Sequence, residues 1–156
     1  MKKLNFDTGI QEFDVNGTGV LRFNPSDPNV YNRFFEAKTH IEQLAKEYTD
    51  KVPEAAGTQL DEQGWPVEKS FAFMKEIDSK VKAELTAAFG AENDFDAIFN
   101  GINLFAGTKS GSMPLTNFLN AVMPIIENGA KTYSETQKNE ALHTAKFNRE
   151  QRRALR

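Results

Sequence analysis

The stretch PNVYNRFFEAKTHIEQLAKEYTDKVP, residues 28–53, carries the clearest structural signal in the chain. Apolar residues recur in it at intervals of 4, 3, 4, 3 and 4, which is the repeat of one buried face of an α-helix. These residues are Val30, Phe34, Ala37, Ile41, Leu44 and Tyr48. A proline suits the first position of a helix but interrupts its interior. We therefore predict a helix over about residues 28–51 that begins at Pro28 and ends before Pro53.

Three more helices are predicted downstream. The second covers residues 66–89, with a proline at its start and a glycine directly after its end. A short helix is predicted over residues 94–101, and the last long helix over residues 113–135. The predicted buried faces are Phe71, Met74, Ile77, Val81, Leu85 and Ala88 in the second helix, and Leu115, Phe118, Leu119, Val122, Ile125 and Ile126 in the last. Residues 53–65 are rich in turn-forming residues and are expected to form an exposed connection.

The stretch LNFDTGIQEFDVNGTGVLRF, residues 4–23, has the pattern of β-strands, because apolar and polar residues alternate along it. Asn16-Gly17 separates two such runs, and both residues tolerate the positive φ of a type I′ turn. Gly19 follows at a position that suits a bulge. We therefore predict a hairpin over about residues 4–24. Two strands alone are marginal in water, so the hairpin must pack on the helices.

These elements define a mainly α protein of the α+β class. We predict a bundle of three main helices and a short one, with the N-terminal β-hairpin packed on it. Residues 1–146 are expected to form a single globular domain, followed by a basic C-terminal arm at residues 147–156. The predicted core is Phe34, Ile41, Leu44, Phe71, Ile77, Val81, Phe118, Leu119 and Val122.

Composition argues against several classes of protein. The chain has no Cys, which excludes disulfides, thiolate metal sites and a thiol nucleophile. It contains no apolar run of about 18 residues, so no membrane span is expected. The sequence begins without the apolar core of a signal peptide, and we expect a cytoplasmic protein.

Two clusters of oxygen ligands have simpler interpretations than a metal site. Residues 14–25 match part of a calcium-binding loop, but Pro25 stands where the bidentate Glu belongs, and the hairpin turn explains the same residues. Glu92, Asp94 and Asp96 lie at the start of a predicted helix, where the free N–H groups stabilise carboxylates. We predict no metal ligands in either cluster.

Catalytic patterns are not found either. His40 and His143 are the only histidines, and neither has a second ligand at helical spacing. The sequence has neither the G-x-S-x-G motif of a serine nucleophile nor a phosphate-binding P-loop. We therefore expect a non-enzymatic protein with no catalytic residues and no cofactor.

The chain ends in KFNREQRRALR, residues 146–156, and this basic end contrasts with an acidic body. Residues 137–156 have a net charge of +4 and the remaining residues −7. A helix would gather the four arginines on one side, beside two apolar residues. The candidate protein-binding residues are Phe147, Arg149, Arg152, Arg153, Leu155 and Arg156. Three interpretations stay open: a solvated helix end, a protein-docking arm that orders on an acidic surface, and a nucleic-acid contact.

The order of these elements resembles small proteins encoded in the tail-gene regions of phages and prophages of Firmicutes. The similarity extends over the chain in five passages: the β-rich start, an F-x-x-x-x-x-x-I-x-x-L helix (Phe34, Ile41 and Leu44), AFGAENDFDAIFNGINLF, LTNFLNAVMPII and the closing NREQRRALR.

This resemblance implies a structural or assembly role in a phage tail, such as that of a tail assembly chaperone-like protein. The implied partners are other phage tail proteins, and a homo-oligomer is also expected. The implied place is the cytoplasm of the host cell or the virion. The alternative is a small nucleic-acid-associated module that uses the arginine cluster, although the acidic body argues against it.

Overall fold

A computed structural model describes residues 1–57 and 68–156 of the chain. Within these residues the protein is mainly helical, with one two-stranded antiparallel hairpin, which confirms the predicted class. The elements in chain order are β1 (Gln11–Val15), β2 (Gly19–Phe23), α1 (Pro28–Gly57), α2 (Glu68–Phe89), α3 (Phe95–Ile98) and α4 (Pro114–Ala154).

The hairpin turn forms as predicted. Asn16 and Gly17 both have positive φ, of 54° and 71°, and the Thr18 N–H donates to the carbonyl oxygen of Val15 at 3.0 Å. The Asp14 carboxylate accepts a hydrogen bond from the Gly17 N–H at 3.0 Å. The residues that resemble a calcium loop therefore stabilise a tight turn.

Gly19 has a different role from the predicted bulge. It pairs with Val15 in the regular ladder, which runs to the pair Gln11 and Phe23. A Cβ atom at Gly19 would lie 2.5 Å from the Cα of Ile98. The missing side chain thus lets β2 approach the end of α3 closely.

The predicted start of the hairpin at residue 4 is wrong. Residues 1–10 form no strand, and Leu4 and Phe6 are 85% and 75% exposed. Alternation predicts which side chains share a face, but a strand also needs a neighbour with which to form hydrogen bonds. No other strand in the described residues pairs with this segment.

Helix α1 begins as predicted and ends later than predicted. The Asp27 carboxylate accepts from the Asn29 N–H at 2.8 Å, so it caps the helix that starts at Pro28. The helix continues through Pro53 to Gly57, because a proline removes one N–H donor while the bonds of the turns on either side persist. Residues 58–67, which include most of the predicted connection and the predicted start of the second helix, lie outside the described residues.

The core lies where α1 and α2 pack on the hairpin and on the first half of α4. Phe34, Ile41, Ile77, Val81 and Val122 are fully buried, as predicted. Phenylalanine rings fill its centre in edge-to-face pairs, with the Phe23 and Phe89 centroids 4.9 Å apart. Other buried residues that the predicted core did not include are Leu21, Phe23, Leu85, Phe89, Phe95, Ile98, Leu104, Phe105, Leu115 and Ile126.

Part of the predicted core is incorrect. Phe71 is 55% exposed, and Leu44, Phe118 and Leu119 are only half-buried. Helical periodicity identifies the inward face of a helix, but it does not say how far along the helix the neighbouring elements extend. Phe71 lies in the first turn of α2, beyond the fully buried part of the helix that begins at Ile77.

Helix α4 is a single helix of 41 residues, so the predicted end at residue 135 is wrong. Gly129 does not stop it. A Cβ atom at this glycine would clash with the backbone carbonyl of Pro25, so the glycine allows α4 to cross close to the loop after β2. The predicted separable arm at residues 147–156 is likewise a helical continuation of α4 as far as Ala154.

Candidate protein-interaction site

The second half of α4 extends away from the core. Every side chain from residue 131 to residue 156 is exposed, whereas the last buried position of the helix is Gly129. We call residues 131–156 the projecting helix. At 1.5 Å per residue its helical part, residues 131–154, is about 36 Å long. A segment of this length with every side chain exposed offers a large surface to a partner.

The projecting helix carries apolar side chains that remain in water. Phe147 and Leu155 are 54% and 88% exposed, and Tyr133 and Leu142 are also exposed. Single exposed apolar residues are common on protein surfaces. Here, however, every side chain of the projecting helix is exposed, and isolated helices in water are only marginally stable. A partner that covered these side chains would therefore stabilise the helix.

The four arginines are brought together on one side of the projecting helix. At about 100° per residue, Arg149, Arg152, Arg153 and Arg156 fall within an arc of about 100°. Lys131 and Lys138 lie within the same arc, which also contains Glu135 and Leu142. We call the six basic residues the basic face.

The helix does not place both apolar candidates beside the arginines, contrary to the prediction. Phe147 lies about 170° around the helix from the centre of the basic face, and Leu155 lies about 60° from Arg152. Leu155 therefore borders the basic face, and Phe147 lies on the opposite side. A groove that bound all six candidate residues would have to surround the helix.

The arginines also have a structural explanation. Arg152 and Arg153 lie in the last turn of α4, where positive charge complements the exposed carbonyl groups. This effect is confined to the last turn. It leaves unexplained why the same face also carries Arg149 about one turn earlier, and Lys138 and Lys131 about four and six turns earlier.

A second surface feature is an apolar groove of about 530 Å³ between the hairpin, the loop after α3 and the first turns of α4. Phe13, Ile98, Phe118 and Ile125 contribute to its apolar lining. Asp14 is the only titratable residue among its described lining residues, and its carboxylate already accepts from the turn. The groove can thus hold apolar side chains but offers no pair of groups for acid–base chemistry.

A partly buried ion cluster fastens α2 to α3 and to the loop after it. The Lys82 ammonium donates to Asp78 Oδ2 and Asp96 Oδ1, both at 2.8 Å, and to the carbonyl oxygen of Ile102 at 2.9 Å. Asp78 Oδ1 accepts from the Leu104 N–H at 2.7 Å. All three ammonium protons therefore have acceptors, which is typical of a structural rather than a reactive lysine.

The same cluster shifts two pKa values. Desolvation lowers the pKa of Lys82, but the hydrogen bonds and charges of Asp78 and Asp96 outweigh it, so the pKa is raised overall. The hydrogen bond and charge of Lys82 lower the pKa of the Asp96 carboxyl. Both shifts favour the ionised pair.

Asn93 fastens the hairpin to the helices. Its Oδ1 accepts from the Arg22 N–H and its Nδ2 donates to the Arg22 carbonyl oxygen, both at 2.8 Å. Nδ2 also donates to the carbonyl oxygen of Phe89 at 3.0 Å. The side chain is almost fully buried and occupies the outer edge of β2 as a neighbouring strand would. A single Asn in a loop gives no sequence pattern, so this residue was not predicted.

The remaining polar candidates have local partners. Asp94 caps α3 by accepting from the N–H groups of Asp96 and Ala97, as expected for acids at a helix start. His40 Nδ1 lies 3.0 Å from Glu84 Oε2, and His143 is exposed on the projecting helix. In the described parts of the chain, no three His, Cys, Asp or Glu side chains are grouped so that they could hold a metal ion.

None of the described helices is both long enough and apolar enough to cross a membrane. No protein-family model matches the chain, and neither a curated protein nor a solved structure shows significant similarity to it.

Proposed function

We propose that this chain is a non-enzymatic assembly protein of a phage or prophage tail that binds another tail protein through its projecting helix. The tail context rests on the resemblance in the order of sequence motifs. The binding role rests on one observation: residues 131–154 continue α4 as one helix, and every side chain from residue 131 to residue 156 is exposed. The proposed place of action is the cytoplasm of the host cell, where tails assemble.

The chemistry of the projecting helix suggests an acidic partner with an apolar strip. Covering Phe147 or Leu155 would contribute about 1.5–3 kcal/mol each if the side chain became fully buried. Carboxylates opposite the basic face could bind the guanidinium groups through two parallel hydrogen bonds. A partner that contacted both sides would have to lie around the helix, as neighbouring helices of a bundle do.

One observation favours a second candidate function. Six basic residues on one side of an exposed helix are also suited to a phosphate backbone. The net charge of −7 on the rest of the chain opposes such binding, and we rank a nucleic-acid-associated module second.

The test uses a deletion of residues 131–156 and co-purification with the tail-tube and tape-measure proteins encoded by the same genome. Because every side chain of this segment is exposed, we expect the variant to keep its melting temperature and lose the tail protein. Undiminished binding by the deletion variant would refute the proposal.

Two quadruple variants then separate charge from geometry. Changing Arg149, Arg152, Arg153 and Arg156 to Lys keeps the charge but removes the forked guanidinium groups, whereas changing them to Gln removes both. A protein partner held by paired carboxylates should bind both variants weakly. DNA should retain most of its affinity for the Lys variant, with steep weakening by salt, and tight DNA binding of this kind would support the second candidate.

A further inference from the structure

The outer edge of β1 is open. Asn93 occupies the Arg22 N–H and C=O groups, so Arg22 and its partner Glu12 form a non-hydrogen-bonded pair of the antiparallel ladder. The main-chain groups of Glu12 consequently point away from β2, and by alternation those of Asp14 do so too. No backbone hydrogen bond joins either residue to the rest of the described chain. Such an edge is a template for another strand.

The core-facing side of the hairpin is also incompletely covered at β1. Leu21 and Phe23 of β2 are fully buried, whereas Phe13 and Val15 of β1 are half-buried. The apolar groove of about 530 Å³ opens beneath these two residues. A further strand beside β1 would extend the sheet over this groove.

The segment at residues 1–10 has the properties of that strand. Leu4 and Phe6 alternate with polar residues and are exposed, and Lys2 and Lys3 are exposed beside them. The segment does not pair with its own β1. The Asn24 side chain donates to the Thr8 carbonyl oxygen at 3.0 Å and so holds the segment near the end of β2.

We propose that residues 2–7 of one copy add as an antiparallel strand to the open edge of β1 in a second copy, and that the exchange is reciprocal. Leu4 and Phe6 then extend over the groove of the other copy, and Leu4 lies opposite its Phe13. In the same register Lys3 lies opposite the exposed Asp14, which provides charge complementarity at the new edge.

Gly9 makes this register consistent. The residues that would face the groove are Leu4 and Phe6, with even numbers, before Gly9, and Phe13 and Val15, with odd numbers, after it. The alternation of side chains must therefore shift by one residue between the two pairs. Gly9 has a φ of 68°, and a glycine with positive φ is the usual site of such a shift in a bulged strand. Its N–H donates to the Asp7 carboxylate at 2.8 Å, which stabilises the bend.

Cross-linking tests the pairing directly because the chain has no natural cysteine. A tagged Leu4→Cys chain is mixed with an untagged Phe13→Cys chain under mild oxidation. We expect a disulfide between the two different chains. The control pair, Leu4→Cys with Leu142→Cys, places the second cysteine at a more exposed site outside the proposed interface, and we expect little product from it.

Light scattering provides the second test. We expect the wild-type chain to form a dimer, and the Leu4→Asp/Phe6→Asp variant to self-associate at least about a hundredfold more weakly, because two apolar side chains no longer enter the groove. Deleting residues 131–156 should leave the dimer intact, which separates this proposal from the one based on the projecting helix. A monomeric wild-type chain would overturn the proposal. A Leu4→Cys/Phe13→Cys double variant that closes its disulfide within one chain would also do so.

Discussion

Changing Asn93 to Leu should destabilise the protein far more than its position in a loop suggests. Leucine has the same number and branching of side-chain heavy atoms but can neither donate nor accept hydrogen bonds. The change therefore leaves the Arg22 N–H, the Arg22 carbonyl oxygen and the Phe89 carbonyl oxygen without their present partner.

The magnitude follows from the burial of the site. Asn93 is 1% exposed, and each buried polar group that loses its partner costs about 1–3 kcal/mol. Arg22 lies at the partly exposed edge of β2, where water can replace part of the loss. We therefore expect a decrease of about 3–5 kcal/mol in the free energy of unfolding, a large fraction of the 5–15 kcal/mol typical of a domain.

The assay is urea unfolding followed by circular dichroism, with the midpoint and slope compared between variants. Asn120→Leu is the matched control, since Asn120 is exposed on α4 and should tolerate the change within about 0.5 kcal/mol. A loss below about 1 kcal/mol for Asn93→Leu would refute the argument that this side chain fastens the hairpin.

Three other perturbations give independent tests. Gly129→Ala should lower the melting temperature, because the backbone clash costs more than the roughly 1 kcal/mol that Ala gains over Gly in a helix; a higher melting temperature would mean that α4 can shift freely. Phe118→Ala should cost about 2–4 kcal/mol in urea unfolding, while Phe71→Ala should stay within about 0.5 kcal/mol, and equal losses would contradict the observed burial. The ion cluster should make the free energy of unfolding depend on pH at both ends of the scale. The lowered pKa of Asp96 gives stability that is present above about pH 3.9 and is lost as pH falls through the pKa of the folded state. The raised pKa of Lys82 gives stability that is present below about pH 10.4 and is lost as pH rises through the pKa of the folded state. The difference in the free energy of unfolding between the wild type and Lys82→Met should therefore be constant between these limits and decrease at both ends. A difference that kept growing at high pH would contradict the stabilising role of the Lys82 ion cluster.

Residues close together in sequence determined much of the fold. The Asn16-Gly17 turn was predictable because it depends on the φ preferences of two adjacent residues. The inward face of α1 was predictable because residues three and four apart share one side of a helix. Both are properties of a few consecutive residues, and tertiary structure did not change them.

The candidate interaction surfaces were only partly predictable. Spacing alone indicated that the arginines near residue 150 would share one side of a helix. The sequence could not show that α4 continues through Gly129, since a glycine in a helix can mark an end or a close contact. The nearby Pro25 backbone decides between the two.

Burial was decided by tertiary structure alone. Phe71 and Phe34 occupy equivalent positions on helical stripes, yet one is exposed and the other buried. Leu4 and Phe13 belong to similar alternating patterns, yet only Phe13 has a paired strand. The sequence by itself determined which side chains of an element point in the same direction, because backbone geometry repeats locally. Whether anything covers them depends on contacts between residues far apart in the chain, and local periodicity contains no information about those contacts.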